Sequence, residues 1–403
     1  MSASIVAKRP VGALRDRLLE GTFRANPGWE LARFEELSAD EQQLLGPLCQ
    51  DNDFCGVIRP RSKNGLTAKA ICRKTAELFE CLRHAGPLPS FVVNDELLVR
   101  EITGLVCDGI LQVADGFAWV CGPAAMSVPD EFAYSAAGKG ALANLSLQAL
   151  QHAASLATAD ASEISACLYQ YNTLPLTPRW LRRLPDQATI EECMGIDIGG
   201  RNRRTLDRGW TRVLTQVDND HWLAWNSRTL TGEPETISYK LYLSPHPTFL
   251  QEAFDVWLPV ITGLALHFKI GGNIRGLLRP DKMVAYFGDF FSLKNAAVAV
   301  SRQLPGCSAQ GVPFTTQLDS DGLLSWGSDP PTDEAAPVWL RRQSWRQWIC
   351  HRLGSALAMA KHQKCKTLPA WQFALQRVGM EGVDVATWSR PSGYESGTPG
   401  DVA

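Results

Sequence analysis

Residues 239–244 read Tyr-Lys-Leu-Tyr-Leu-Ser, and how that alternation is folded decides the second half of the chain. In an extended strand, side chains two apart share a face. Lys240 and Tyr242 therefore stand together, with Leu241 and Leu243 on the opposite side. The leucine face needs a core to cover it, whereas the lysine-tyrosine face is suited to a site. The segment Lys282-Met283-Val284-Ala285-Tyr286-Phe287 repeats the pattern, with Lys282 and Tyr286 on one face. A third lysine, Lys269, lies inside the apolar run of residues 264–270, between Phe268 and Ile270. It is either exposed on an edge or held in a site, where burial would depress its pKa and make it a usable general base. Any one of these lysines alone reads as an ordinary strand lysine with a solvated head. Three of them mid-strand in neighbouring segments argue for a common site. Arg275 and Arg279 fall between the last two strands, and an arginine fork suits a phosphate better than a point charge does. Lys, Arg and Tyr together, with no carboxylates or metal ligands among them, fit an anionic substrate handled without cofactor or metal.

Outward from this segment the chain reads as an α+β protein. From Trp210 the strands WTRVLTQV, HWLAW and ISYKLYLS succeed one another. A helix over about 248–258 follows, then strands at LHFKI and KMVAYF, a helix over about 290–303, and a loop-rich stretch to Pro337. Helices over about 338–363 and 370–380 close this domain, which is expected to hold an α/β fold with a mixed sheet. The domain boundary is placed near 190. This gives a mostly helical N-terminal domain (1–190), an α/β catalytic-type domain (191–385) and a Gly/Ser/Pro-rich tail (386–403) expected to be flexible.

Within the first domain, Ser38 and Glu41 have capping-box spacing. Residues 67–84 have the periodicity of an amphipathic helix that stops at Gly86-Pro87. Asn94 or Asp95 can cap the next helix, and Thr177-Pro178 can start another. Asp108-Gly109 and Ala114-Asp115-Gly116 bracket ILQV and lead to FAWVC, a hairpin after a helix. That is the outline of a winged helix. Three readings compete for it: a packing module, a peptide-docking module that takes a ligand strand on its sheet edge, and, ranked last for want of local basic excess, a DNA-binding wing.

The 40 Lys+Arg nearly cancel the 42 Asp+Glu over 403 residues, for a formal charge of −2. Nucleic acid and anionic membranes both call for a large basic surplus, so neither is an expected partner. The eleven cysteines include no C-x-x-C pair, which leaves zinc-ribbon and thioredoxin-type sites without support. The N-terminus has no apolar h-region and the chain no long apolar run, so neither a signal peptide nor a membrane span is expected and the location reads as cytoplasmic. No strand precedes Gly138-Lys139-Gly140, and Gly271-Gly272 with Gly276 lacks the helix register a nucleotide loop requires. Residues 340–366 hold Arg341, Arg342, Arg346, Arg352, Lys361, Lys364 and Lys366 without an acid. Such a run is a solvated helix face or a surface that steers an anionic partner, with Arg342 and Arg346 on one face at i, i+4.

The stretches YKLYLSPHPTFLQEAF, FKIGGNIRGLLRPDKMVAYF and QGVPFTTQLDSDGLLSWGSDPP resemble the Hop A type III effector-like family, members of which occur beside kinase-like proteins in thioamitide and class V lanthipeptide biosynthesis. The resemblance covers roughly residues 150–385. More distantly, the K-x-Y, FK and K-x-x-x-Y strands resemble the phosphothreonine lyase domain of class III lanthipeptide synthetases. The resemblance implies β-elimination of phosphate from phosphoserine or phosphothreonine in a precursor peptide carrying its leader, in partnership with a separate kinase and without a cofactor. By motif position it makes Lys269 the base and Lys240 a stabiliser of the enolate or phosphate. Tyr242 stands where those lyases have histidine, so a phenol would replace their acid. The lyases also carry arginines in the segment matching LDSDGLLSWGSDPP, where this chain has none. Phosphate binding then falls to Arg275, Arg279 and Lys282, with Arg346, and Tyr286 is a further candidate. The alternatives are a non-enzymatic effector-like protein that docks a peptide or kinase, and a cyclase, for which no thiol chemistry can be located.

Overall fold

In the computed structural model, residues 21–126, 140–213, 222–230, 239–328, 344–363 and 368–389 are described, apart from 63, 94 and 95. The elements confirm an α+β fold but begin with strands. β1 (Phe23–Ala25) and β2 (Trp29–Arg33) lead through α1 (Ala39–Leu45) to β3 (Phe54–Pro60) and β4 (Lys69–Cys72). After α2 (Arg73–Cys81) and α3 (Glu96–Cys107) come β5 (Leu111–Asp115) and β6 (Ala118–Val120). These form two three-stranded antiparallel sheets, ordered β1-β5-β6 and β2-β3-β4.

The sequence reading of a mostly helical N-terminal region missed β1 to β4. Residues 67–84 are the clearest case, because their first part is strand rather than helix. β4 pairs with β3 through Gly56 with Ile71, Val57 with Ala70 and Ile58 with Lys69. Tertiary pairing thus overrides a helical periodicity that continues correctly into α2. The capping box is present: the Glu41 carboxylate accepts from the Ser38 amide at 2.9 Å, and Ser38 Oγ accepts from the Glu41 amide at 3.4 Å. Pro178 opens its helix as expected, although the Thr177 side chain makes no cap bond. The expected cap at Asn94 or Asp95 lies outside the described residues, as does Gly138-Lys139. The hairpin of β5 and β6 forms with Gly116 at φ 60°, in the left-handed region its turn requires.

A helical stretch follows: α4 (Ala141–Ser155), α5 (Ala161–Gln170), α6 (Pro178–Arg183), α7 (Gln187–Met194) and α8 (Arg203–Gly209). Then come β7 (Trp210–Val213), β8 (Trp222–Ser227), β9 (Tyr239–Leu243), α9 (Leu250–Ile261), β10 (His267–Gly271), β11 (Met283–Phe287), α10 (Phe290–Gln303), β12 (Thr316–Gln317) and β13 (Leu324–Ser328). The chain closes with α11 (Trp345–Gln363) and α12 (Ala370–Met380). β12 and β13 lie in the stretch the sequence reading left as loop.

The seven strands β7 to β13 make one sheet, ordered β12-β13-β9-β11-β10-β8-β7. Every neighbouring pair in it is antiparallel, so the expected mixed sheet is corrected. The reason lies in the connections. β9 reaches β10 through α9 in the same direction, skipping one strand position that antiparallel β11 then fills. α10 leads from β11 past the positions of β9 and β13 to the edge strand β12, which runs antiparallel to β11. The chain has a βαβ connection without a parallel hydrogen-bonded pair.

Both crossover helices pack on one face of the sheet, where Leu241, Leu243, Phe268, Ile270 and Ala285 join Phe254, Trp257 and Leu293 in one core. Phe268 is its centre, stacked on Trp225 at 4.8 Å and edge-on to Trp210 at 4.6 Å and Trp257 at 5.5 Å. Cutting such a ring back to alanine costs about 3–5 kcal/mol. A second core joins β1, α2, α3, α4 and α5 to α11 and α12. The two C-terminal helices therefore pack with the N-terminal elements rather than closing the sheet's own core. Their apolar faces (Ile349, Leu353, Leu357, Phe373 and Val378 among them) find Ile164, Leu168, Ile102 and Val106 there.

Candidate active site

Cross-strand partners in a sheet share a face, and the register therefore lays out the side chains opposite α9 and α10. One row runs from Ala224 through Lys269, Val284 and Tyr242 to Ser325. The next runs from Asn226 through His267, Tyr286 and Lys240 to Gly327. Lys240, Tyr242, Lys269 and Tyr286, singled out in three segments of sequence, thus come together on one face.

Lys269, partly buried, has surroundings unlike those of a solvated strand lysine. Its Nζ stands 4.3 Å from the centroid of the Trp222 ring and 5.9 Å from that of Tyr286. Among the described residues it has no hydrogen-bond or ion-pair partner, and its contacts are with ring faces. Loss of water on burial lowers its pKa below the usual lysine range; Asp281 and Tyr169 oppose that shift, and the Arg279 charge adds to it. Lys240 is buried, with its Nζ 5.7 Å from the Tyr286 centroid. Tyr242 is buried against Val284, Val312 and Tyr286. Burial raises its phenol well above the ordinary value, against the pull of Arg346. It keeps its proton throughout the working pH range and is a weak acid for a leaving group.

Beside Lys269 lies a charged group built from both cores. After β10 the chain turns through Gly271 and Gly272, and Asn273 Oδ1 accepts from the Gly276 amide at 2.9 Å to cap one helical turn. A Cβ on Gly271 would come within 2.6 Å of the Gly276 carbonyl carbon. The glycines thus permit a tight backbone return rather than cradling a nucleotide, and that return delivers Arg279 and Asp281. Arg279 donates through Nε to Asp281 Oδ1 at 2.8 Å and through Nη2 to Oδ2 at 2.9 Å. Arg346, from the start of α11, donates to the same Oδ2 at 2.8 Å, to the Tyr169 carbonyl at 2.8 Å and to the Pro313 carbonyl at 3.2 Å. The charge of Arg346 and the hydrogen bonds and charge of Arg279 hold the Asp281 carboxyl well below its usual range despite its burial.

The remaining expected residues separate. Lys282 is fully buried, and its Nζ donates to the Pro245 carbonyl at 2.9 Å and to the Gln310 amide oxygen. Burial brings its pKa down to about 7. Arg346 is 1% exposed with its donors taken up as described, so it supports the site from beneath. Arg275 is exposed on the short helical turn, apart from this group. Of the arginines named from sequence, Arg279 is the one that combines a place beside Lys269 with exposure, at 27% for its side chain. In the basic run of residues 340–366, Arg352 pairs with Glu381 at 3.2 Å and Lys361 donates to the Leu156 and Thr158 carbonyls. Arg341, Arg342, Lys364 and Lys366 lie outside the described residues.

Four members of the site were not singled out from sequence: Trp222, Tyr169, Asp281 and His267. His267 Nδ1 faces Asn226 Oδ1 at 2.8 Å, and its ring lies 4.8 Å from that of Tyr286. Burial and the Lys269 charge bring its pKa down to about 4, so it is neutral at neutral pH. The signal for His267 was present, since it is two residues from Lys269 and shares its face. Among the described residues no group of His, Cys, Asp and Glu is placed to hold a metal ion, and no helix is long and apolar enough to cross a membrane.

No family model matches the chain, and no curated protein matches it. Among solved structures it is similar to the effector protein from Pseudomonas syringae pv. tomato strain DC3000, with a TM-score of 0.38 and 12% identity over 62% of this chain and 99% of that one. The effector protein from Pseudomonas syringae pv. syringae strain 61 gives a TM-score of 0.37 and 11% identity over 62% and 98%. Both neighbours are effectors, and neither bears on peptide biosynthesis or on lyase domains.

Proposed function

We propose that the polar face of the seven-stranded sheet is the active site of a lyase that eliminates phosphate from phosphoserine or phosphothreonine in a peptide. The observation that carries this reading is Lys269: an amine on a sheet face, desolvated between ring faces, with no acceptor among the described residues and with a guanidinium close by. A lysine so placed gives up its proton more readily than a solvated one, as a general base must.

In the proposed reaction, neutral Lys269 Nζ takes the proton from the substrate Cα. The electron pair of that C–H bond forms the Cα=Cβ double bond. The Cβ–O bond breaks with its electrons going to the departing phosphate. Arg279 supplies donors to the phosphate oxygens, and Lys240 adds positive charge near the enolate that develops at the substrate carbonyl. Tyr242 lines the row beside Val284; its raised pKa favours a hydrogen-bond donor over a proton source, and a substrate bound as its phosphate monoanion releases the hydrogen phosphate dianion without needing one. The product is dehydroalanine or dehydrobutyrine, and Lys269 loses its extra proton to solvent before the next turnover.

The substrate proposed is a ribosomally made precursor peptide carrying its leader and phosphorylated by a separate kinase. Incubating a leader-bearing phosphopeptide with this protein alone, and following it by mass spectrometry, tests the reading. Loss of phosphoric acid is expected, and an unchanged phosphopeptide at stoichiometric enzyme would refute it.

A further inference from the structure

Arg279 spends three of its five N–H groups inside the protein. Nε bonds Asp281 Oδ1, while Nη2 bonds Asp281 Oδ2 and, at 3.2 Å, the Tyr169 hydroxyl. The two N–H groups of Nη1 have no partner among the described residues, so one edge of the fork is left for a ligand. Tyr169 touches the arrangement in five ways. Its ring lies 5.2 Å from Arg279 Cζ and 4.7 Å from Arg346 Cζ. Its hydroxyl accepts from Arg279 and donates to Asp281 Oδ2 at 3.4 Å, and its carbonyl accepts from Arg346. Trp222 completes the enclosure, its ring 5.4 Å from Arg279 Cζ.

Tyr169 belongs to α5, which packs in the other core with α11. The sheet supplies Arg279 and Asp281, and a helix from outside the sheet's core fixes the plane in which the guanidinium lies. We propose that Tyr169 is a positioning residue that presents the open Nη1 edge of Arg279 to a phosphate dianion, making the site a joint product of both cores. The proposal rests on reading this face as an anion site. It adds that the anion's affinity is set by a residue that need not touch it.

A double-mutant cycle read by calorimetric titration with inorganic phosphate tests this without any elimination step. Tyr169→Phe keeps the ring and removes the hydroxyl. It is expected to weaken phosphate about two- to tenfold, the range of one lost hydrogen bond, and to have no further effect in an Arg279→Gln background. Equal weakening in both backgrounds, or none in the wild type, overturns the proposal. So does a wild-type protein that binds no phosphate. Arg279→Lys gives a second, independent reading, because it keeps the charge and loses the fork. Unchanged phosphate affinity in that variant also overturns the proposal. A protein that passes this cycle yet leaves phosphopeptides intact would refute the lyase reading and leave the role of Tyr169 standing.

Discussion

Lys240 and Lys269 lie on β9 and β10, two strands that are not neighbours, yet their ammonium groups stand 5.7 and 5.9 Å from the centroid of the same ring, Tyr286 on the intervening β11. The ring offers a π face to both amines. Loss of water on burial lowers the pKa of Lys269, as the proposed base requires.

Asp281 is the counter-charge for two arginines, one of them fully buried. Asp281→Asn leaves Arg346 with an uncompensated charge away from water, and removing one partner of such a pair costs about 3–5 kcal/mol. Chemical denaturation is expected to show that loss. A cost within experimental error would mean that the Arg346 charge is satisfied in another way.

Lys282 gives a pH signature of its own. Its folded pKa is about 7, against about 10.4 in an unfolded chain. Between those values the folded state binds fewer protons than the unfolded one, so this residue adds stability as pH rises. Its penalty is complete below about pH 7 and gone above the unfolded value. Lys282→Met removes the titrating group. The stability difference between variant and wild type, measured from pH 6 to pH 10, is therefore expected to move in the wild type's favour as pH rises. A pH-independent difference would contradict the assignment.

The rate profile has a separate handle. Elimination requires Lys269 as free amine, so kcat/KM is expected to rise with pH through an apparent pKa below the ordinary lysine value. The Arg279 charge is one of the causes of that depression. Arg279→Gln is therefore expected to shift the rising limb to higher pH as well as to weaken phosphate. A limb that stays in place while affinity falls would show that Arg279 acts on the anion alone.

The local chemistry of the sheet was legible in the sequence. The alternation at Tyr239–Leu243 and Met283–Phe287 set the faces correctly, and Phe268 and Ile270 marked Lys269 as unusual. The partners of these residues were not legible. Tyr169 and Asp281 are 112 residues apart and meet because α5 packs against α11 beside the sheet. The sequence reading of a basic run around Arg346 as a solvated face or steering surface missed the buried pairing with Asp281, because nothing local in SWRQW marks that arginine as core. The strands of the N-terminal sheets are short, and β4 lies inside a segment whose periodicity favours a helix, so their pairing comes from tertiary contacts alone.

The central claim is that Lys269 removes the α-proton, and Lys269→Ala tests it most directly. The decisive measurement is the rate of phosphoric acid loss from a leader-bearing phosphopeptide, followed by mass spectrometry beside a binding measurement on the same peptide. The account predicts a fall of about 100-fold or more in rate, the contribution of a positioned general base, with binding within about twofold. Elimination at the wild-type rate in Lys269→Ala would contradict it.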